Sequence, residues 1–362
     1  MSDMGFSINK RSTGAFMTTG DAFSYDCVRD FVAQYVAPLA KDGNGALSAC
    51  EPYCGTGALI VGFNGHFSDI ISNITWHAYD VNPPNCNDMI ASIQVHRANT
   101  LLSLPEHYDL IVTNPPYLAR NSARRRGLDF PFDKHGIGLA KPQDLYQFAL
   151  DTCLDYASCV MAIIPESFIT SPYAKDRLRC VLSLPGDMFD DTDCPVCLAM
   201  FSQQSNDGND YEIHAYDRGL IGTWHEIVNL DNIILFKDQH MQNVDISFNV
   251  PEGIIGLHGI DGVNGSRIRF VKGSDIPSSK VKQSSRAITR INIDGITTDD
   301  AASVIIKNAN ETLNEWRDAT SDVFLTAFKG TRNDGRYRRR LSYGIAMEIL
   351  RKAVYQTRAN IQ

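Results

Sequence analysis

Apolar positions in the first 200 residues form short runs that stop at turn residues. Residues 21–37 place Phe23, Val28, Phe31, Val32 and Tyr35 near a 3.6-residue period, which predicts a helix leading into a turn at 38–45. A short apolar segment, Ala46–Cys50, then meets a glycine-rich turn, and similar runs recur at Ile74–Tyr79, Tyr108–Thr113 and Val160–Ile164 with helix-compatible stretches between several of them. Alternation of this kind predicts a parallel sheet with helices on both faces. A later strand is expected at Val196–Phe201, reached through Pro185-Gly186 and an acidic loop. The polar, turn-rich segment Ser202–Asp210 has no apolar period and is the expected boundary, giving domains 1–204 and 205–362. Beyond it the pattern predicts short strands and turns, with helices at 299–317 and 341–356.

The chain has 362 residues, 43% of them hydrophobic and 21% charged, enough for about two domains with full cores. Its longest apolar runs, such as Val160–Pro165 and Ile233–Phe236, fall far short of the roughly 20 residues of a membrane helix, and no signal pattern opens the chain. A cytoplasmic protein with no membrane partner is expected. All nine cysteines lie within the first 197 positions, which fits free thiols better than a disulfide framework. Cys194-Pro-Val-Cys197 is the one CxxC and has no second Cys or His pair at zinc-motif spacing, so no metal is expected.

The net charge of −8 hides an uneven distribution. Residues 1–203 carry 14 Lys/Arg against 22 Asp/Glu, whereas residues 204–362 carry 20 of each. In the second part, positive charge is bunched at Arg267, Arg269, Lys272, Lys280, Lys282, Arg286 and Arg290, then at Lys329, Arg332, Arg336, Arg338, Arg339 and Arg340. Each bunch reads equally as a solvated face or as a surface for a polyanion.

Three segments carry candidate chemistry. Glu51-Pro-Tyr-Cys54-Gly55-Thr-Gly57 follows a predicted strand, where two glycines let backbone approach a ligand and the next helix offers free N–H groups to an anion. Glycine pairs also occur in ordinary tight turns, but Ile74–Tyr79 ends in Asp80 at the spacing where a doubly wound nucleotide site places an acid for ribose hydroxyls. Third, the run Asp109–Thr113 stops at Asn114-Pro115-Pro116-Tyr117. Two prolines stiffen the loop and supply no N–H, Asn114 adds a side-chain acceptor beside the Pro115 carbonyl, and Tyr117 offers a face for a planar base. Together these groups suit an exocyclic amine that donates both hydrogens and aims its lone pair at an electrophile.

With these residues the sequence resembles the amino-methyltransferase family of DNA-modifying enzymes, whose motif is (Asn/Asp/Ser)-Pro-Pro-(Tyr/Phe/Trp), over about its first 200 residues. Ser12-Thr-Gly-Ala-Phe16-Met-Thr18-Thr is similar to the family's Ser-Thr-Gly-Ala-Phe-Tyr-Thr-Pro segment, departing at Met17 and Thr19. The order of this segment, glycine loop, Asn-Pro-Pro-Tyr and extra C-terminal chain is similar to the γ group, in which target recognition follows catalysis. The resemblance implies a Rossmann-like α/β fold of the S-adenosylmethionine-dependent type, mostly parallel and doubly wound with an antiparallel late strand, plus a smaller C-terminal recognition domain. It implies S-adenosylmethionine as cofactor, held by Phe16, Thr18, Glu51, Cys54, Gly55, Gly57, Asp80, Asn99 and Asn114. Asn99 stands where the family usually has an Asp for the cofactor's adenine amino group.

The implied reaction is methylation of adenine N6 in double-stranded DNA at Asn114, Pro115, Pro116 and Tyr117. Duplex stacking hides N6, so the base must be flipped out, to be stacked between Tyr117 and Phe189. Arg124, Arg125 and Arg126, with Arg267, Arg269, Lys272, Arg336, Arg338, Arg339 and Arg340, are the expected phosphate contacts. Cytosine N4, RNA adenine and protein glutamine are alternative acceptors, and a non-catalytic DNA-binding subunit with this fold is an alternative class. The roughly 150 residues beyond the catalytic domain favour DNA over protein glutamine. The chain has no Asp/Glu-x-Lys, so any cognate restriction nuclease is expected to be a separate protein.

Overall fold

The computed structural model describes residues 18, 20–42, 45–83, 93–125, 127, 142, 144–190, 192, 194–237, 244–282, 287–333 and 336–359. Expectations for Phe16, Met17, Thr19, Arg126 and Arg286 lie outside them. Contacts divide the chain into two compact units, Met1–Leu220 and Ile221–Gln362.

The first unit is an α/β, Rossmann-like fold whose sheet comprises β1 (Leu47–Glu51), β2 (Ile74–Asp80), β3 (Val95–Arg97), β4 (Tyr108–Thr113), β5 (Ala157–Pro165), β6 (Leu178–Ser183), β7 (Val196–Phe201), β8 (Glu212–Ala215) and β9 (Gly219–Thr223), the last of these running across the division at 220/221. Their order across the sheet is β3-β2-β1-β4-β5-β7-β6-β8-β9. Pairing is parallel from β3 to β5 and between β6 and β8, whereas β7 runs antiparallel to both of its neighbours. This is the mostly parallel sheet with one reversed late strand that was expected. Strands β4, β5 and β7 are almost wholly buried, which is why they read as continuous apolar runs rather than alternating ones.

The first helix begins later than its periodicity suggests. α1 spans Asp26–Phe31 and continues through a π-helical turn, Val32–Val36, into α2 (Ala37–Asp42). Upstream, the Asp21 carboxylate accepts the Phe23 amide at 2.8 Å, a local turn that competes with helix. Phe23 nonetheless reaches the core from this turn, edge-on to Phe63 and Phe67 of α3 (Ala58–Phe67). Two further helices, α4 (Arg120–Arg125) and α5 (Leu145–Tyr156), follow β4.

The expected boundary at 204/205 falls within the sheet, between β7 and β8, rather than between the units. Residues 202–210 look like a linker because they are polar, yet they are sewn onto strand β6. Asn206 donates its amide to the Leu178 carbonyl at 2.8 Å, and Arg177 donates to the Ser202 carbonyl at 2.8 Å. The chain then returns as β8, parallel to β6 with Cys180 opposite Glu212.

The second unit contains α6 (Trp224–Ile234), strands β10 (Ile246–Phe248), β11 (Ile255–His258), β12 (Arg269–Lys272) and β13 (Ile288–Ile293), helix α7 (Asp299–Thr320), the ribbon β14 (Thr326–Thr331) and β15 (Tyr337–Arg340), and α8 (Tyr343–Ala359). The four-stranded sheet is antiparallel, in the order β10-β13-β11-β12. Its core gathers Leu257, Phe270, Ile291, Ile305, Trp316 and Leu350. Inside it, Arg317 makes a two-pronged bond to Asp261, 3.1 Å on each arm, and is held from the other side by Asp322 at 2.7 and 2.9 Å. Asp261 also accepts the Ile268 amide at 2.9 Å, so a fully buried charge is both paired and hydrogen-bonded. No helix among the described residues is long and apolar enough to cross a membrane.

Candidate active site

Strands β1, β2 and β4 run in one direction, so their C-terminal ends open on one edge of the sheet, and β1 sits where the strand order reverses. In open α/β sheets this is the crevice that receives ligands. Glu51 is level with Ala78 of β2, and Asp80 lies two residues further along. Cys50 is level with Ile111, which brings Asn114, just past the end of β4, to the same edge.

The glycine-rich turn has the backbone that its composition requires. Gly55 has φ of 51° and Gly57 has φ of 78°, both in the left-handed region that a side chain resists. Gly57 is the N-cap of α3, and a methyl group added at Gly55 would meet no atom within 4 Å, so that face of the turn looks onto open space. Asp80 braces the turn: its carboxylate accepts the Gly55 amide at 2.9 Å and the Asn82 amide at 2.7 Å. The Cys54 amide bonds the Tyr79 carbonyl at 2.8 Å, and Thr100 ties down the Pro52 carbonyl at 2.6 Å. Asn99 is exposed and accepts the amide of Leu101 at 3.2 Å.

Glu51 lies beneath this turn, only 2% exposed. Burial pushes its carboxyl well above the ordinary carboxylate range; a hydrogen bond with Cys54 opposes the shift, and the charge of Asp80 adds to it. One carboxyl oxygen, Oε2, has no hydrogen-bond partner. An acceptor left in this state costs about 1–3 kcal/mol, and such exceptions to the general pairing of buried polar groups call for an explanation.

The Asn114 carboxamide is fixed at both ends. Its amide donates to Thr18 Oγ1 at 3.0 Å, and its carbonyl accepts from the Tyr117 hydroxyl. That hydroxyl also lies 2.6 Å from the Ile163 carbonyl on β5, which anchors the ring to the sheet. Thr18 in turn bridges Phe189 in antiparallel fashion, and the Gly20 amide bonds the Met188 carbonyl at 3.2 Å. Phe189 is buried and meets Tyr117 edge to face, with ring centres 6.3 Å apart. Segments near positions 18, 114 and 189 therefore form one constellation. Pro115 is buried, and Pro116 is half-buried.

The basic candidates divide by environment. Arg124 and Arg125 are exposed on α4, directly after the Asn-Pro-Pro-Tyr loop. In the second unit Arg267, Arg269, Lys272 and Arg336 are exposed, whereas Arg338, Arg339 and Arg340 are half-buried. Arg338 is engaged within its own unit, donating to the Asp261 carbonyl at 2.7 Å and lying over the Phe328 ring. Sequence reading missed the Ile163 carbonyl as the anchor of Tyr117, and no local signal marks a backbone carbonyl 46 residues away.

No protein-family model matches the chain, and no curated protein matches its sequence. Among solved structures, it is similar to the methyltransferase subunit of the type I restriction-modification system from Streptococcus thermophilus, with 17% identity over 54% of this chain and 47% of that one and a TM-score of 0.37. It is similar to a candidate class I S-adenosylmethionine-dependent methyltransferase from Listeria monocytogenes, with 12% identity over 52% and 62% of the two chains and a TM-score of 0.36. It is also similar to the M protein of the type I restriction enzyme EcoKI, with 12% identity over 51% and 47% and a TM-score of 0.31. These alignments span 47–62% of the length of the solved chains, and the likeness concerns part of the fold.

Proposed function

We propose that this chain is an S-adenosylmethionine-dependent DNA methyltransferase that modifies the N6 amino group of an adenine flipped out of the duplex. The observation that supports it best is the pinned Asn114 carboxamide, held by Thr18 and Tyr117 at the same sheet edge as the open glycine turn and the unpaired Glu51 oxygen. When bound, S-adenosylmethionine supplies a methyl group made electrophilic by its sulfonium. Fit to that cofactor rests on the turn itself: Gly55 borders open space, the start of α3 can face the methionine carboxylate, and Glu51 Oε2 suits a cationic amine. Asp80, engaged by two backbone amides, shapes the turn and keeps a carboxylate beside it.

The target amine is oriented by the chain. Thr18 takes the Asn114 amide, so the carboxamide cannot rotate without losing two bonds, and its oxygen stays beside Tyr117. Alignment of amine and methyl group, with an acceptor for charge developing on nitrogen, supplies the catalysis, and no strong general base is needed. Flipping a base costs a few kcal/mol, and stacking on aromatic rings such as Tyr117 and Phe189 returns about 1–3 kcal/mol per base. Double-stranded DNA is the partner in this reading, with Arg124 and Arg125 near the flipped strand, the second unit as the recognition domain, and any restriction nuclease a separate protein.

The test is tritium transfer from labelled cofactor to unmethylated DNA, with nucleoside analysis of the product. Wild type should label adenine N6. Asn114→Ala should lose transfer while cofactor affinity stays within a few-fold. Label on cytosine would move the assignment to N4, binding without transfer would mark a non-catalytic subunit, and full turnover in Asn114→Ala would refute the role of Asn114.

A further inference from the structure

Away from this constellation, three metal-type donors from three elements converge within the first unit. Cys27 sits in the first turn of α1, Cys180 on β6 and His214 on β8. One donor atom of each, two sulfurs and an imidazole nitrogen, lies within 4.8 Å of the other two. The parallel register sets Cys180 opposite Glu212 and Leu182 opposite His214, so Cys180 and His214 share one face of the sheet by strand alternation. Cys27, half-buried, packs against the core cluster that contains Val28, Phe31 and Cys180.

We propose that Cys27, Cys180 and His214 form a binding site for a thiophilic divalent cation of the zinc class, with water completing the coordination. Two sulfurs and one imidazole are a common donor set for Zn2+, and ideal tetrahedral bonds place such donors about 3.5–3.8 Å apart. Closing the observed triangle onto an ion therefore asks for movements of about 1 Å or less. A second observation points the same way. His214 Nε2 lies 2.9 Å from a carboxylate oxygen of exposed Glu212, the kind of outer partner that metal-bound histidines habitually have.

The role assigned to the ion is structural. It would clip the start of α1 to the strands beyond β7, and the chain just upstream of α1 carries Gly20, bonded to Met188, and Thr18, bonded to Asn114. The proposal does not depend on which base, or whether any base, is methylated.

Cobalt tests it directly. The full-length chain, reduced and freed of metal by chelation, is titrated with Co2+ alone and then with Zn2+. Tetrahedral thiolate coordination should appear as intense visible d–d bands with a near-ultraviolet charge-transfer band, both erased by Zn2+, and Zn2+ should raise the melting temperature. Cys27→Ser, Cys180→Ser and His214→Ala should lose the bands, Cys194→Ser should keep them, and Glu212→Gln should weaken affinity about 10–100-fold. Far-ultraviolet circular dichroism checks that each variant is folded. If reduced wild-type protein takes up neither ion, or gives only a Cys27–Cys180 disulfide on oxidation, the site is overturned without recourse to any variant. Bands that persist in folded Cys180→Ser would overturn it equally.

Discussion

Replacing Glu51 by glutamine is expected to make the ligand-free protein less sensitive to rising pH and the liganded protein weaker. Glu51 is 2% exposed, one of its oxygens has no partner, and burial raises its carboxyl well above the ordinary 4.5. Between the unfolded and the folded pKa, the native state holds a proton that the unfolded chain has released, so stability falls as pH rises. The slope contributed by one such group reaches about 1.4 kcal/mol per pH unit, and it flattens above the raised folded pKa with the penalty fully imposed. Glutamine mimics the neutral carboxyl at every pH and should remove this component. The assay is urea denaturation of both proteins across a pH series, with the difference in unfolding free energy as readout because the other titrations cancel. That difference should be small below the ordinary carboxylate range and should grow in favour of the variant as pH rises. Cofactor affinity should move the opposite way, falling about 10–100-fold, because a charge-assisted hydrogen bond worth about 1.5–3 kcal/mol is lost. Parallel stability curves would refute the buried, proton-holding carboxyl, and unchanged affinity would refute its role toward a cationic ligand.

Three further outcomes follow from the same geometry. Tyr117→Phe removes the hydroxyl shared by Asn114 and Ile163 but keeps the ring, so kcat should fall about tenfold with KM for DNA little changed; an unaltered kcat in steady-state assays would show that the carboxamide needs no anchor. Arg317→Met removes the cation that bonds both Asp261 and Asp322, leaving Asp261 with Arg332 at 4.0 Å, and should cost about 3–5 kcal/mol in urea denaturation; a loss under about 1 kcal/mol would mean that Arg332 or water compensates Asp261. Arg267→Gln with Arg269→Gln should lower the log–log salt slope of DNA binding by about one for each phosphate no longer neutralised, and an unchanged slope would move the DNA face elsewhere.

Strands β4, β5 and β7 were legible because strands buried on both faces write unbroken apolar runs, and β1 and β2 because each short run stops at a turn. The glycine turn and Asn114–Tyr117 were legible because each directly follows such a run. Strand β6 was hidden by Arg177 and Arg179, whose heads turn aside to bond the Ala157 and Ser158 carbonyls and the Ser202 hydroxyl while the strand stays in the sheet. Helix α6 was also overlooked, although Thr223 and Glu226 form the reciprocal cap that a Thr-x-x-Glu sequence announces. The boundary at 204/205 failed for a similar reason, since local polarity marks a loop but says nothing of whether the chain beyond it rejoins the sheet.

Sequence alone determined the chemistry on offer: an amide, two prolines and a ring after one strand, two glycines after another, and an acid after a third. Turn conformation and strand burial are properties of neighbouring residues, so they leave local traces. Only the tertiary structure decided that Thr18 would hold Asn114, that Ile163 would anchor Tyr117, that Arg338 would serve Asp261, and that Cys27, Cys180 and His214 would meet. Those pairings depend on which strand lies beside which, and strand order is set by the packing of the whole sheet against its helices, a choice that no single stretch of chain records.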